Sequence, residues 1–359
     1  MTHFRPTIDA IEAYVPGEQP APGTCVVKLN TNENPYPPSP LAIAALKNVN
    51  PDDLRRYPHP FAEQFRKSAA EVLDIDPAWI LVGNGSDDLL TMLIRSITGT
   101  NRAVAFPVPT YVLYRTLGMI QEAPVVEIPF DDAYTLPVDA LVQTNAALTL
   151  IANPNSPSGT CASTVQLADL ASRLDGVLAI DEAYVAFADT DALELVQRFD
   201  RVIVLRTLSK SHSLAGLRLG FGVANPTLLA GLTKVKDSYN VDAVAAHVGA
   251  AAIRDTKHTS VNINRIRQSR TKMSERLQAL GFRVWPSQAN FLLVQPPGNA
   301  AQQLYKALRI RGILVRYFNV PGLTDKLRIT VGTDDQNAEL TRSLKTLMSS
   351  SDDNTNPTQ

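Results

Sequence analysis

Between about Leu81 and Val223, short runs rich in Val, Ile, Leu and Ala alternate with stretches whose apolar residues recur at helical spacing. That alternation predicts βαβ units and a mostly parallel sheet. The strand candidates are WILV (79–82), RAVAF (102–106), PVVEI (124–128), ALTLIA (147–152), GVLAI (176–180), RVIVL (201–205) and LGFGVA (219–224). Runs so nearly free of polar residues suit strands covered on both faces. Helix starts are marked between them. Ser163 with Gln166 reads as a capping box opening QLADLASRL, Ser39-Pro40 opens LAIAALKNV, and Asn225-Pro226 starts another helix. In PFAEQFRKSAAEVL, Phe61, Phe65, Ala69 and Val72 fall along one helical face.

Beyond about residue 255 the texture changes. INRIRQSRTKMSERLQAL places Ile266, Met273, Leu277 and Leu280 at helical spacing with Arg and Lys opposite, and FRVWP, NFLLVQ, AQQLYKALRIRG, ILVRYF and KLRITVG follow. This is the pattern of a smaller α+β domain. The expected division is an N-terminal arm over 1–35 joining the small domain, a large domain over 36–255, a small domain over 256–348 and a disordered tail over 349–359. That tail, SSSDDNTNPTQ, offers nothing apolar to bury.

A length of 359 residues accommodates this two-domain reading. Hydrophobic residues make up 45%, which excludes disorder over most of the chain. Lys and Arg number 34 against 35 Asp and Glu, so no global field favours nucleic acid or a membrane surface. Small molecules or a second copy of the chain are the expected partners. Cys25 and Cys161 stand too far apart to suggest a disulfide framework or a CxxC metal site, which fits a reduced, cytoplasmic setting. Arg5, Asp9 and Glu12 interrupt the apolar core a signal peptide needs, and no window is long and apolar enough for a membrane helix.

In an open parallel sheet, ligands bind outside the carboxyl ends of the strands, where helix N-termini point inward. Five strand exits here carry polar or aromatic groups: GNGSDD, PVPTY, NPNSPSG, DEAY and RTLSK. Lys210 follows a buried strand and is flanked by Ser209, Ser211, Ser213, Ala215 and Gly216, which leave room for a bulky ligand. A lysine held there serves a Schiff base; otherwise it is a solvated surface residue. Asp181 ends the preceding strand and is either a turn residue or the anion that keeps a pyridine nitrogen protonated in an electron-sink cofactor. Tyr184 then donates to a phenolic oxygen on the same ring. Gly85, Ser86 and Asp87 form a candidate phosphate cradle at a helix start, though an ordinary strand-to-helix turn reads the same way. The loop is neither GxGxxG nor GxxxxGK[ST], which counts against nicotinamide and nucleoside triphosphate sites. Tyr111 is a stacking aromatic or a core one, and Arg218 a phosphate ligand or a surface ion pair.

Taken in order, GNGSDD, PTY, NPNSPSG, DEAY, TLSKSHSLAGLR, GILVRYF and LRITVGT resemble the class II, fold-type I aminotransferases that use pyridoxal 5'-phosphate. Within them the arrangement is most similar to the histidinol-phosphate group, from LNTNENPYPPS through RRYP to LRITVGT. The resemblance implies an α/β fold: a large domain with a mostly parallel central sheet in an α/β/α sandwich, plus a smaller α+β domain. It implies that Lys210 holds the cofactor covalently and shuttles the proton, that Asp181 pairs with the pyridine nitrogen, that Tyr184 bonds the ring oxygen and that Tyr111 stacks on the ring. Gly85, Ser86, Asp87, Ser209 and Arg218 would take the cofactor phosphate. Tyr57 would reach the phosphate in a neighbouring subunit, making a homodimer with shared sites. Arg316 and Arg328 would grip the substrate's acidic group, with Tyr14 and Asn32 as further substrate contacts. The other partners implied are a small-molecule amino donor and a 2-oxo acid, with no nucleic acid, membrane or metal.

Two positions depart from the family's pattern. Where it usually reads NPNNPTG, this chain has Ser156, so either Ser156 or Asn155 must supply a bond to the ring oxygen, a bridging water filling any gap. His212 stands where an apolar or aromatic residue is expected, and a neutral packing role is anticipated; His3, His59, His247 and His258 show no metal-ligand spacing. Two related activities remain alternatives: transamination of phenylalanine or tyrosine, and decarboxylation of threonine phosphate.

Overall fold

The computed structural model describes residues 3–13, 17–21 and 23–352. After a two-residue strand in the N-terminal arm, β1 (Val27–Lys28), all seven apolar runs form strands: β2 (Ile80–Gly83), β3 (Val104–Val108), β4 (Val125–Pro129), β5 (Leu148–Ala152), β6 (Val177–Asp181), β7 (Val202–Thr207) and β8 (Gly220–Ala224). Together these seven make one sheet in the order β2-β8-β7-β6-β5-β3-β4.

Successive strand residues point to opposite faces, so a fully apolar run must be covered twice. Val202 and Val204 join one core with Phe65, Leu167, Leu170 and Val248, while Ile203 and Leu205 join the other with Leu89, Leu93, Tyr114 and Leu229. The first core is closed by helices Glu63–Leu73, Thr164–Arg173 and Ala243–Arg254, the second by Ser86–Ile97, Leu113–Ile120 and Pro226–Thr233. Each fully buried Leu or Val contributes about 1.5–3 kcal/mol, which fixes the layers firmly. The Ser163–Gln166 capping box forms as expected, and Ser39 and Asn225 both cap their helices.

Only β8 runs against its neighbours in this sheet. Because β2 and β7 are both antiparallel to β8, they run parallel to each other, and Gly83, Thr207 and Gly220 stand in one register. The carboxyl ends of β2, β3, β5, β6 and β7 therefore share an edge.

The C-terminal part builds a four-stranded sheet in the order β12-β13-β10-β9 from β9 (Arg283–Val284), β10 (Phe291–Gln295), β12 (Arg316–Tyr317) and β13 (Leu327–Thr330). Ile266, Met273, Leu277, Leu292, Leu304 and Ile329 fill its core together with Leu29 of the arm. The run ILVRYF divides. β11 (Ile313–Leu314) pairs in parallel with β1, whereas Arg316–Tyr317 pairs with β13. Residues 313–315 are all buried, so the chain passes between the sheets at Val315 without exposing it.

Two local expectations are corrected. Phe61 lies outside its helix, which begins at Glu63 after Ala62 in the left-handed region; the ring is 37% exposed, beside the cations of Arg66 and Lys236. The final helix runs Asp334–Asp352, so the first residues assigned to a disordered tail are helical. Extending an existing helix gains one hydrogen bond per residue, which carries it past its last buried side chain. Residues 353–359 lie outside the described residues.

Candidate active site

The shared edge collects the expected groups. Lys210 sits in the turn 208–219 between β7 and β8, its Nζ 3.3 Å from the Thr31 carbonyl and 5.8 Å from the centre of the Tyr184 ring. Asn34 donates to the backbone carbonyls of Lys210 and Ser211 at 3.0 and 3.2 Å, tying the arm to this turn. Asp181 closes β6 and is buried. Its Oδ1 accepts the Ala183 amide at 3.1 Å and its Oδ2 the Tyr114 hydroxyl at 2.9 Å. Burial pushes this carboxyl up to about 6, against the pull of those two hydrogen bonds and of Lys210. A buried carboxylate of this kind is stabilised by any cation that can reach it.

At the β2 exit the chain turns through Gly85 with φ +75°, opening the helix Ser86–Ile97. A Cβ on Gly85 would stand 2.8 Å from Arg218 Nη2, so only glycine lets the guanidinium lie over the turn. Arg218 donates to Ser209 Oγ at 3.4 Å and pairs with Asp87 at 3.2 Å, and Asp87 also accepts the Tyr111 hydroxyl at 3.2 Å. Gly220 packs so tightly that a Cβ there would meet the Ser86 amide nitrogen at 2.5 Å. Helix N-terminal amides, a guanidinium and a serine hydroxyl thus converge, the donor set a phosphate requires. With the buried carboxylate of Asp181 and the charge of Lys210 acting on it, the residues present fit pyridoxal phosphate.

Asn155 and Ser156 are both engaged elsewhere. The Asn155 amide donates to the Pro109 carbonyl at 3.2 Å and Ser158 Oγ at 2.9 Å, and its oxygen accepts from Thr110 at 2.7 Å. Ser156 Oγ accepts from Arg328 at 3.1 Å. Tyr184 is placed by Asn32, whose amide donates to its hydroxyl at 2.9 Å, and by an edge-on contact with Phe291 at 5.0 Å. Asn32 itself is buried in the left-handed region at φ +57°, held by Thr330 and Asn290, so it supports Tyr184.

Arg316 and Arg328 are cross-strand partners on β12 and β13, both within 5.5 Å of the Phe318 ring centre. Arg328 further donates to the Asn30 carbonyl at 3.0 Å, and Phe291 flanks it at 5.3 Å. Tyr57 is 82% exposed and stacks on Tyr239 at 4.6 Å. Tyr14 lies outside the described residues. His212 is half-buried, bonds Ser211 at 2.9 Å and is pushed down to about 4 by burial, a neutral ring at physiological pH. Among the described residues there is no cluster of three or more His, Cys, Asp or Glu side chains able to hold a metal ion.

Sequence reasoning missed Tyr114, the buried partner of Asp181. Its signal was a polar-tipped aromatic inside an apolar helix, three positions beyond Tyr111. It also missed the Glu182–Arg206–Asp191 network, in which a fully buried carboxylate binds Arg206 at 2.8 Å and anchors the segment after β6.

The chain is 55% identical over 350 residues to histidinol-phosphate aminotransferase 1 of Nostoc sp., covering 98% of this chain and 99% of that protein. It is 44% identical to the histidinol-phosphate aminotransferase of Rhodopirellula baltica, over 93% and 92% of the two. The fold is similar to that of the histidinol-phosphate aminotransferase from Sinorhizobium meliloti in complex with pyridoxal-5'-phosphate, with TM-score 0.87, 23% identity and coverage of 97% and 99%. Residues 24–344 match the family described as aminotransferase class I and II, and the chain belongs to that family.

Proposed function

We propose that this chain is a pyridoxal-phosphate-dependent transaminase interconverting histidinol phosphate and 2-oxoglutarate with imidazole acetol phosphate and glutamate. The observation that carries the substrate is the pair Arg316 and Arg328, two guanidiniums on adjacent strands, one of which bonds the loop after β5. Two fixed cations suit a phosphate dianion. Near-full-length similarity to two histidinol-phosphate aminotransferases supports the same substrate.

Bound pyridoxal phosphate supplies a carbonyl that takes up the amine and a protonated ring that draws electrons from the substrate's alpha carbon. The chain supplies the rest. Lys210 Nζ would hold the cofactor and, when free of it, would move the proton. Asp181 holds the proton on the ring nitrogen, and Tyr184 Oη, oriented by Asn32, donates to the ring oxygen. Arg218, Ser209 and the amides at Ser86 and Asp87 hold the cofactor phosphate.

A homodimer completes this reading. Leu41, Ile43, Leu46 and Leu54 are each 38–64% exposed, and the stacked Tyr57–Tyr239 pair adds to this apolar set. An apolar surface of this kind favours cover by a second copy, with Tyr57 reaching the partner's cofactor phosphate. We assign the arm to 1–35, the large domain to 36–255 and the small domain to 256–348. Free Cys25 and Cys161 suit a cytoplasmic enzyme, and no described helix is long and apolar enough to cross a membrane.

The test is the visible spectrum of the purified protein with pyridoxal phosphate. A yellow band bleached by histidinol phosphate but not by phenylalanine is expected; bleaching by phenylalanine alone overturns the substrate. Lys210→Ala should lose the band and transamination together, and a variant that still transaminates overturns the assignment.

A further inference from the structure

Tyr114 is 0% exposed, deep in the core between the sheet and helix Leu113–Ile120. A residue there only to pack needs no hydroxyl, because burying one without a partner is costly. Its ring meets Phe106 and Tyr111 edge-on, each at 5.7 Å, and its hydroxyl donates to Asp181 Oδ2 at 2.9 Å. The same side chain therefore touches the ring expected to stack on the cofactor and the carboxylate expected to hold its nitrogen.

We propose that Tyr114 is a positioning residue of the reaction, holding the Asp181 carboxylate ionised and aimed so that the ring nitrogen of pyridoxal phosphate keeps its proton. The proposal rests on the cofactor reading above and goes beyond it, because Tyr114 touches neither substrate nor reacting atoms. The groups that act on Asp181 are Tyr114 and the Ala183 amide by hydrogen bond, Lys210 as a cation and Asp87 as an anion. Those acting on Tyr114 are Asp181, Tyr111 and Asp87, and with burial they hold its phenol well above its ordinary value. The phenol is a donor at every pH the protein meets, so the hydrogen bond has one direction and favours the charged carboxylate. Ala183 alone cannot replace it, since its amide serves the other oxygen.

The test is Tyr114→Phe, which keeps the ring and its packing and removes one oxygen. Two readouts are taken on holoenzyme: the dissociation constant for pyridoxal phosphate, and nitrogen NMR of the isotope-labelled cofactor ring. Losing a hydrogen bond to a charged group should weaken binding about tenfold, equivalent to about one pKa unit, and move the ring signal toward its unprotonated position. In an Asp181→Asn background the same change should have no further effect on either readout. Mere packing would leave the ring signal unmoved and would add in that background, and either result overturns the proposal. If the parent protein takes up no pyridoxal phosphate, the cofactor reading falls and this proposal with it. If the parent binds and Tyr114→Phe matches it, the proposal falls alone.

Discussion

Arg316 and Arg328 stand directly opposite one another across the antiparallel β12–β13 pair, with Phe318 beside both guanidiniums. Like charges placed so are destabilising by a few tenths of a kcal/mol or more, up to about 1. Under the proposed function, an arriving dianion would turn the repulsion into a shared attraction. Arg316→Gln should therefore raise the KM for histidinol phosphate by about ten- to a hundredfold, the worth of a charged hydrogen bond. Steady-state kinetics checks this, and an unchanged KM makes Arg316 a structural residue.

Asp181 predicts a pH dependence of opposite sense to an exposed carboxylate. Its folded value of about 6 lies above the ordinary 3.8, so the folded chain binds this proton more tightly than the unfolded one. Its stabilising contribution is fully present below about 3.8 and is lost as pH rises through about 6, amounting to roughly 2–3 kcal/mol. Cofactor-free Asp181→Asn should escape that loss and be more stable than the parent at pH 7. Denaturant unfolding across this range measures it, and identical parent and variant curves refute it.

Gly85→Ala meets two obstacles, a positive φ and a contact of 2.8 Å with Arg218 Nη2. At φ +75° and ψ 169° the backbone alone costs about 1–3 kcal/mol. Arg218 must then shift off the turn, so affinity for pyridoxal phosphate should fall while affinity for pyridoxal, which has no phosphate, stays as it was. Fluorescence titration with both compounds distinguishes this from general damage, which would lower both.

Tyr57→Phe keeps the stacking on Tyr239 and removes a hydroxyl. If that hydroxyl serves a neighbouring subunit, the variant stays dimeric and releases pyridoxal phosphate more readily, by about 1.5–3 kcal/mol for a bond to a charged group. Dialysis followed by absorbance reads retention, and sedimentation the assembly. Unchanged retention argues against a shared site.

Much of the architecture was legible because burial on both faces leaves a strong trace, a near-continuous apolar run: each of the seven became a strand. Strand order was not legible. Nothing local in LGFGVA says that β8 runs against the sheet, because orientation depends on partners distant in sequence. ILVRYF looked continuous for a similar reason, its apolar residues serving one sheet and its arginine another. At the site, the groups lying just past strand ends were readable from position alone. Tyr114 was hidden by its surroundings, a tyrosine among leucines resembling any core aromatic until the fold brings Asp181 to it. Asn32 was assigned to the substrate, but its left-handed backbone and its bonds to Thr330 and Asn290 turn its amide to Tyr184.

The β7–β8 connection carries both Lys210 and Arg218, while Arg316 and Arg328 belong to a separate sheet that meets the loop after β5 through Ser156 and the arm through Asn30 and Asn32. Seat and grip are thus modular. The distance between Lys210 and Arg218, the proposed phosphate arginine, is written into a single turn and is inherited whole, whereas the reach of the proposed substrate arginines is set elsewhere. Under the proposed roles, substitutions over 313–327 could lengthen or shorten that reach while the connection 208–219 stays unchanged, so a lineage could exchange one amine for another and keep the apparatus that handles its proton.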